Sequence, residues 1–295
     1  MDAVNTFIVS KAVKEAGVTV ALSGLGGDEL FAGYPSFRRA QRLHNMPGLA
    51  RSVLRSAAVV GKATLSGTVQ RNKLWELAQG DGSATDVYRV TRQLFSANQI
   101  SALLAHPPAT AGGTDNITSL DALPSTPDGA GNVVSSTGDV INTVSQLELT
   151  GYMANTLLRD TDAMSMAHSL EVRVPFVDVE VARLVLSLPG HWKLNGGRTK
   201  PLLADALADV LPAEVLHRSK MGFTLPFEKW MQSRLRDEIS SVVQNDAPAK
   251  PGALNRGAVS EIWNGFLRSP RSVGWSRPWA LYVLNRWCEI NGVVN

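Results

Sequence analysis

The chain has 295 residues, of which 44% are hydrophobic and 19% charged, with a formal net charge of +3 and one cysteine. That length accommodates one large or two medium domains with a substantial core, and no stretch approaches the ~18 uninterrupted apolar residues of a membrane-spanning helix. The lone Cys288 excludes an internal disulfide, a multi-cysteine zinc site and an amino-terminal cysteine nucleophile. No basic segment followed by an apolar run and a cleavage site stands behind Met1-Asp2, so the expectation is a cytoplasmic globular protein.

Val4, Phe7, Ile8, Ala12 and Ala16 recur at helical spacing, and Gly17 supplies a stop. Val18 to Leu22 is short, partly β-branched and bounded by glycine, which predicts one buried strand of a parallel sheet. Ser23 to Asp28 forms a glycine-rich turn, and Glu29-Leu30-Phe31 opens a further helix. Beyond it the strand signals fade. Helices are predicted over 46–62, 83–95, 139–158, 178–188, 199–210, 226–243 and 255–268, with Thr199 as a helix start and Pro201 tolerated in a first turn. A final helix over about 278–291 places Trp279, Val283, Trp287 and Ile290 on one stripe, which reads as core packing. Residues 107–138 are rich in Pro, Gly, Ser, Thr, Ala and Asp, too poor in large apolar groups to offset ordering entropy, and read as an irregular insertion. A shorter polar loop is expected over about 245–254, and the part from about 139 to 295 is helical.

One strand needs neighbours on both edges. The pattern is therefore α/β but mostly helical, and the expectation is a chain that enters an α/β domain part-way, with its N-terminal strands missing. Charge is uneven: no acidic residue lies between Glu29 and Glu76, and no Lys or Arg between Arg92 and Arg159. A solvated helical face accounts for the basic stretch better than an anionic partner, because the aromatic interleaving of a single-strand binder is missing. Nucleic acid is not an expected partner, and no membrane association is expected.

Three segments could carry chemistry. In Ser23-Gly24-Leu25-Gly26-Gly27-Asp28-Glu29, glycines let backbone N–H groups approach phosphate oxygens, and Asp28 could hold Mg²⁺; a plain tight turn explains the same residues. In Leu158-Arg159-Asp160-Thr161-Asp162, an Arg beside two carboxylates can orient an amino acid's charged groups; the alternative is an N-cap cluster, with Glu171 and Arg173 as a structural pair nearby. In Arg218-Ser219-Lys220-Met221-Gly222-Phe223, Lys220 beside a glycine bend can reach a phosphate, or simply face solvent. The five histidines show no metal-ligand spacing, and no histidine adjoins Ser23 as a hydrolase triad would suggest.

In this order the segments resemble the synthetase domain of the glutamine-hydrolysing asparagine synthetases, the family related to β-lactam synthetases. The strings that carry the resemblance are SGLGGDELFAGY (23–34), LLRDTDAMSMAHSLEVRVPFVD (157–178), TKPLL (199–203) and RSKMGF (218–223). It covers the chain from about Val4 to near its end, with 107–138 the least family-like part. It implies the carboxyl-terminal portion of a PP-loop ATP pyrophosphatase (adenine nucleotide alpha hydrolase-like) domain over residues 1–295, with ATP and Mg²⁺ as cofactors. The implied reaction transfers AMP to the side-chain carboxylate of aspartate, releases pyrophosphate and lets glutamine-derived ammonia form the amide.

By the same resemblance Ser23 and Gly24 touch ATP, the loop through Gly26, Gly27, Asp28 and Glu29 handles pyrophosphate and metal, and Asp28 is the metal ligand. Lys220 stabilises phosphate charge, while Arg159, Asp160 and Asp162 line the substrate side. The family's glutaminase domain and its phosphate-gripping Ser-Gly-Gly-x-Asp-Ser loop do not occur in this sequence. The missing half is expected in cis or in trans, and the chain alone is expected to show no glutaminase activity and little ATP–pyrophosphate exchange. Leu25 stands where some members carry Glu, so a different acceptor carboxylate stays open, as does a catalytically inactive helical binding module.

Overall fold

The computed structural model describes residues 2–48, 50, 52–53, 56, 73, 76–78, 80, 82–104, 138–216, 218, 222, 225–243 and 254–292. The chain divides into two compact units: Met1–Ala58 with Leu77–Arg92 and Thr126–Leu225, and Val59–Glu76 with Gln93–Ser125 and Pro226–Asn295.

In the first unit, α1 (Asp2–Glu15) leads through Gly17, at φ +85°, into β1 (Val20–Leu22). The short α2 (Gly27–Leu30) and α3 (Pro35–His44) follow, and α4 (Ala84–Arg92) packs against α3. Next comes α6 (Val140–Leu147), whose first turn is capped by Asp139: its carboxylate accepts from the N–H groups of Ile141 and Asn142 at 2.9 and 3.2 Å. (Helix α5, Ala97–Leu103, belongs to the second unit.) The α6 rod continues through a π-helical stretch, Glu148–Leu157, into α7 (Leu158–Met166).

The π-helical stretch has an identifiable cause. The Tyr88 hydroxyl enters the rod at Gly151 and accepts the N–H of Tyr152 at 3.1 Å, and a Cβ on Gly151 would collide with that oxygen. A side chain inserted into the i→i−4 ladder is one of the few things that widen a helix.

After α7 the chain forms β2 (Glu171–Arg173), parallel to β1 with Val20 opposite Glu171 and Leu22 opposite Arg173. A 3₁₀ turn (Pro175–Val177), α8 (Val179–Ser187), the turns of Gly190–Gly197, α9 (Pro201–Ala206) and α10 (Ala213–Leu216) complete the unit. One core gathers Phe37, Ala40, Val87, Ile141, Val144 and Leu194; another gathers Leu30, Phe31 and Val185.

The second unit holds α5, α11 (Phe227–Gln232), α12 (Arg236–Val243), α13 (Arg256–Arg268), α14 (Pro270–Val273) and α15 (Ser276–Ile290). Its core centres on Trp263, Phe266, Met231, Ile239 and Leu281.

Several sequence expectations change. The mostly helical α/β pattern and the parallel strand stand, but β1 is not buried: Val20 is 42% and Leu22 75% exposed. Its partner β2 gave no sequence signal, because three residues containing Glu171 and Arg173 look like a charged connector. Those two side chains do pair, at 2.7 Å. The 139–158 helix runs on to Met166, so Asp160 and Asp162 sit inside a helix and cap nothing. The 199–210 helix starts at Pro201 rather than Thr199 and ends at Ala206. The 226–243 helix breaks at Ser233 into two.

The terminal stripe is half core: Trp279 packs in the second unit's core, whereas Val283, Trp287 and Ile290 are 45, 54 and 75% exposed. Residues 107–137 of the expected insertion, most of the 46–62 helix and nearly all of the 245–254 loop lie outside the described residues. No described helix is long and apolar enough to cross a membrane.

Candidate functional site

The short parallel sheet brings two distant strings together. Because β1 and β2 are in register and the N–H of Ser23 donates to Arg173 O at 2.8 Å, the glycine turn after β1 meets the Pro175–Val177 turn after β2. Gly26, at φ +92°, has no room for a side chain: a Cβ there would lie 2.9 Å from Val177 Cγ2 and 3.1 Å from Phe176 Cβ. At Gly27 the fit is looser: a Cβ there would make an ordinary 3.4 Å contact with the Phe176 ring. These two glycines are buried, and they close the loop onto the protein.

Two of the loop amides are also engaged within the turn. Leu25 N–H donates to Ser23 Oγ at 3.3 Å and Gly27 N–H to Gly24 O at 3.2 Å. Gly24, by contrast, is exposed, with nothing within 4 Å of where a Cβ would be.

Asp28 and Glu29 point to different surroundings. Glu29, grouped with the nucleotide loop on sequence, turns inward: it is 2% exposed and accepts the Tyr34 hydroxyl at 2.5 Å. Behind it the Arg92 guanidinium lies 4.7 Å from the centre of the Tyr34 ring and 3.8 Å from that of Tyr152. Arg92 donates twice to one oxygen of Glu148, at 2.8 and 2.5 Å, and Glu148 is fully buried. Burial pushes the Glu148 carboxyl up and Arg92 pulls it back, with the net displacement upward; burial likewise drives the Tyr34 hydroxyl far above its ordinary range. Glu29 thus anchors the loop from behind. Sequence alone gave no signal that Arg92 and Glu148, on separate elements, would pair beside the Tyr34 ring.

Asp28 is half-exposed. Its Oδ1 lies 3.1 Å from Lys200 Nζ, at the edge of an open groove of about 490 Å³. Thr199, Lys200 and Arg218 supply the groove's other polar lining, and aliphatic residues including Leu203, Leu207 and Leu211 form its wall. Gly33 is obligatory here, because a Cβ on it would run into the Asp28 carboxylate. Lys200 has φ 52° and ψ 53°, a left-handed conformation that a residue before proline seldom takes. Its segment is tied down nearby: Arg38 donates to the carbonyls of Leu194 and Arg198 at 3.4 and 2.9 Å, and the buried Lys193 amine donates to Asn142 Oδ1 at 2.6 Å. In the sequence TKPLL carries only the family resemblance, and nothing local singles out Lys200. Its nearness to Asp28 is a product of folding.

The other expected residues stand apart. Arg159 and Asp162 are exposed on α7, Asp160 is half-exposed, and the helix buries Thr161 and Ser165 instead. None of the three lines the groove. Lys220, and with it the expected approach of its amine to the Ser23–Asp28 turn, lies outside the described residues. Among the described residues no group of three or more His, Cys, Asp or Glu is placed to hold a metal ion. A single Asp28 carboxylate does suit Mg²⁺, which takes one or two carboxylates and completes its shell with phosphate oxygens and water.

Residues 1–289 match the asparagine synthase family model. The chain is 30% identical over 246 residues to asparagine synthetase [glutamine-hydrolyzing] 1 of Bacillus subtilis, covering 82% of this chain and 36% of that protein. It is 42% identical over 105 residues to asparagine synthetase [glutamine-hydrolyzing] 3 of the same organism, covering 33% of this chain and 17% of that one. It is 21% identical over 281 residues to amidase chry2 of Gibberella zeae, covering 90% and 40%. The chain spans about a third of the length of the first of these relatives. No solved structure matches it at a significant level.

Proposed function

The chain belongs to the asparagine synthase family, and from that premise we propose that it is part of an ATP-dependent amidotransferase, a ligase that activates a carboxylate and forms an amide with glutamine-derived ammonia. Residues 1–295 are read as part of a PP-loop pyrophosphatase-type domain, partnered in cis or in trans by a glutaminase domain. The observation that carries this reading is the Asp28–Lys200 pair at 3.1 Å on the rim of the groove: an anion suited to a metal beside a cation suited to phosphate, next to a glycine turn.

In this reading Ser23 and exposed Gly24 meet ATP, and Asp28 holds Mg²⁺. Gly26, Gly27 and Glu29 keep the loop in shape by packing on Phe176 and hydrogen bonding to Tyr34. Lys200 and Lys220 share the phosphate charge, and Arg159, Asp160 and Asp162 face the acceptor. When bound, Mg²⁺ supplies neutralisation of the pyrophosphate leaving group. The protein's own part is to fix the phosphates and compensate their charge, which is most of what adenylation requires. Leu25 offers no carboxylate to the acceptor, so the acceptor is assigned as a carboxylate, with aspartate the first member to test.

Titration calorimetry of the chain with magnesium pyrophosphate tests the reading. Asp28→Asn is expected to weaken binding about tenfold or more, as loss of a charged ligand does. Equal affinity in the variant overturns it.

A further inference from the structure

The groove beside Asp28 has an aliphatic half that the reading above leaves unused. From Lys200 onward its lining recurs every three or four residues as Leu203, Leu207, Leu211 and Val215, and Arg218 closes the far end. Backbone bonds four residues apart, Ala204 N–H to Lys200 O at 3.0 Å and Leu211 N–H to Leu207 O at 2.9 Å, keep this row in step. Arg218 is held beside the row by its own N–H, which donates to Val215 O at 3.4 Å, while its side chain is exposed. At about 490 Å³ the groove has the size of a small-molecule site, concave and mostly apolar with a few polar groups at its edge.

We propose that this half of the groove binds a carboxylate with an aliphatic body, its head on Arg218 and its chain along Leu203, Leu207 and Leu211. The site uses neither metal nor nucleotide, and it stands whether or not Asp28 is a metal ligand.

Charge and wetting give the reason. Asp28 and Lys200 lie 3.1 Å apart and offset each other, so Arg218 is the surplus charge of the lining and suits one negative head. A bare anion would satisfy the guanidinium but leave the wall in water, and an exposed ion pair alone holds weakly. Aspartate would set an ammonium against leucines that offer it no acceptor. A fatty alcohol would cover the wall but gain no charge-assisted bond. An aliphatic carboxylate satisfies both ends: its head pairs with the planar guanidinium through two parallel hydrogen bonds, and each methylene laid on the wall leaves water. Binding is non-covalent, and no proton changes place.

The test is calorimetry of the full chain with sodium octanoate, sodium butanoate, 1-octanol and sodium aspartate, on wild type, Arg218→Gln, Leu207→Asn and Asp28→Asn, with thermal melting to establish that each variant is folded. Octanoate is expected to bind wild type about tenfold or more tighter than butanoate, because each added methylene half-buried on an open wall contributes about twofold. It is expected to bind about threefold or more tighter than octanol, and aspartate is expected to give no measurable heat. Arg218→Gln should bring octanoate down to the level of octanol and leave octanol within about twofold. Leu207→Asn should weaken octanoate about fivefold and leave butanoate within about twofold. Octanoate that binds Arg218→Gln as tightly as wild type overturns the proposal, as does a chain-length gain that survives Leu207→Asn, because the chain is then held elsewhere. Aspartate binding as tightly as octanoate overturns it too. Arg218 is exposed, so its variant decides the matter even if Leu207→Asn does not fold. Asp28→Asn separates the two readings: it should leave octanoate as tight or tighter, since a negative charge is gone. Loss of octanoate binding in that variant overturns the aliphatic site, whereas an unchanged affinity for magnesium pyrophosphate overturns only the nucleotide reading.

Discussion

Arg92 shows how a single side chain sets the energetics of its surroundings. It lies between two tyrosine rings and compensates a fully buried carboxylate, and charge-assisted contacts of this kind are worth most where water is excluded. Breaking such a pair costs more than never having had it. Arg92→Leu should therefore lower stability by about 3–5 kcal/mol, whereas the double substitution with Glu148→Leu should recover most of the loss. Denaturant unfolding of the two single variants and the double variant measures this as a mutant cycle. The pH dependence has a definite sign. Glu148 already titrates above its ordinary value of 4.5, so the folded state holds the proton more tightly than the unfolded chain, and stability falls as pH rises through that window. Without Arg92 that fall should be steeper.

Among elements, the segment from Gly190 to Lys200 matters most, because it delivers Lys200. Its start is fixed by the Gly190 N–H donating to Asp139 at 2.7 Å, and its middle by Lys193, fully buried and bonded to Asn142. Burial pulls the Lys193 amine down from 10.5 to about 8, with Asp139 opposing. Below that value both the folded and the unfolded chain carry the proton, and the folded state bears the full cost of desolvation. Between about 8 and 10.5 the unfolded chain holds more protons, so this residue makes the protein more stable as pH rises through the interval. Lys193→Met should flatten that rise, by a few kcal/mol at most, in melts compared at pH 7.5 and 10. A rise of equal size in both proteins would refute the assignment.

At the scale of the whole molecule, each unit has its own core, and the two can be challenged separately. Trp263 and Phe37 are both fully buried, so Trp263→Ala and Phe37→Ala should each cost about 3–5 kcal/mol in chemical denaturation. Ile290→Lys, at a position 75% exposed, should stay within about 0.5 kcal/mol of wild type. Sequence reading found the longer helices because their apolar spacing is local, and it found the loop because glycines after a strand are local too. It missed β2, because a three-residue strand carrying a salt bridge has no periodicity of its own, and it treated Trp287 and Ile290 as core, because spacing alone cannot say which part of a stripe is covered. At the site, Ser23–Glu29 was legible as a string, but the pairing of Asp28 with Lys200 joins chain segments more than a hundred residues apart, and the inward turn of Glu29 onto Tyr34, five residues on, leaves no mark in the string. The exposed face of β1 carries a practical consequence. Among the described residues the sheet has two strands, and Val20 and Leu22 of β1 are in water, apolar groups of the kind through which strands of separate chains associate as concentration rises. Leu22→Lys is therefore expected to lower the light scattering of concentrated samples, and equal scattering from both proteins refutes that reading.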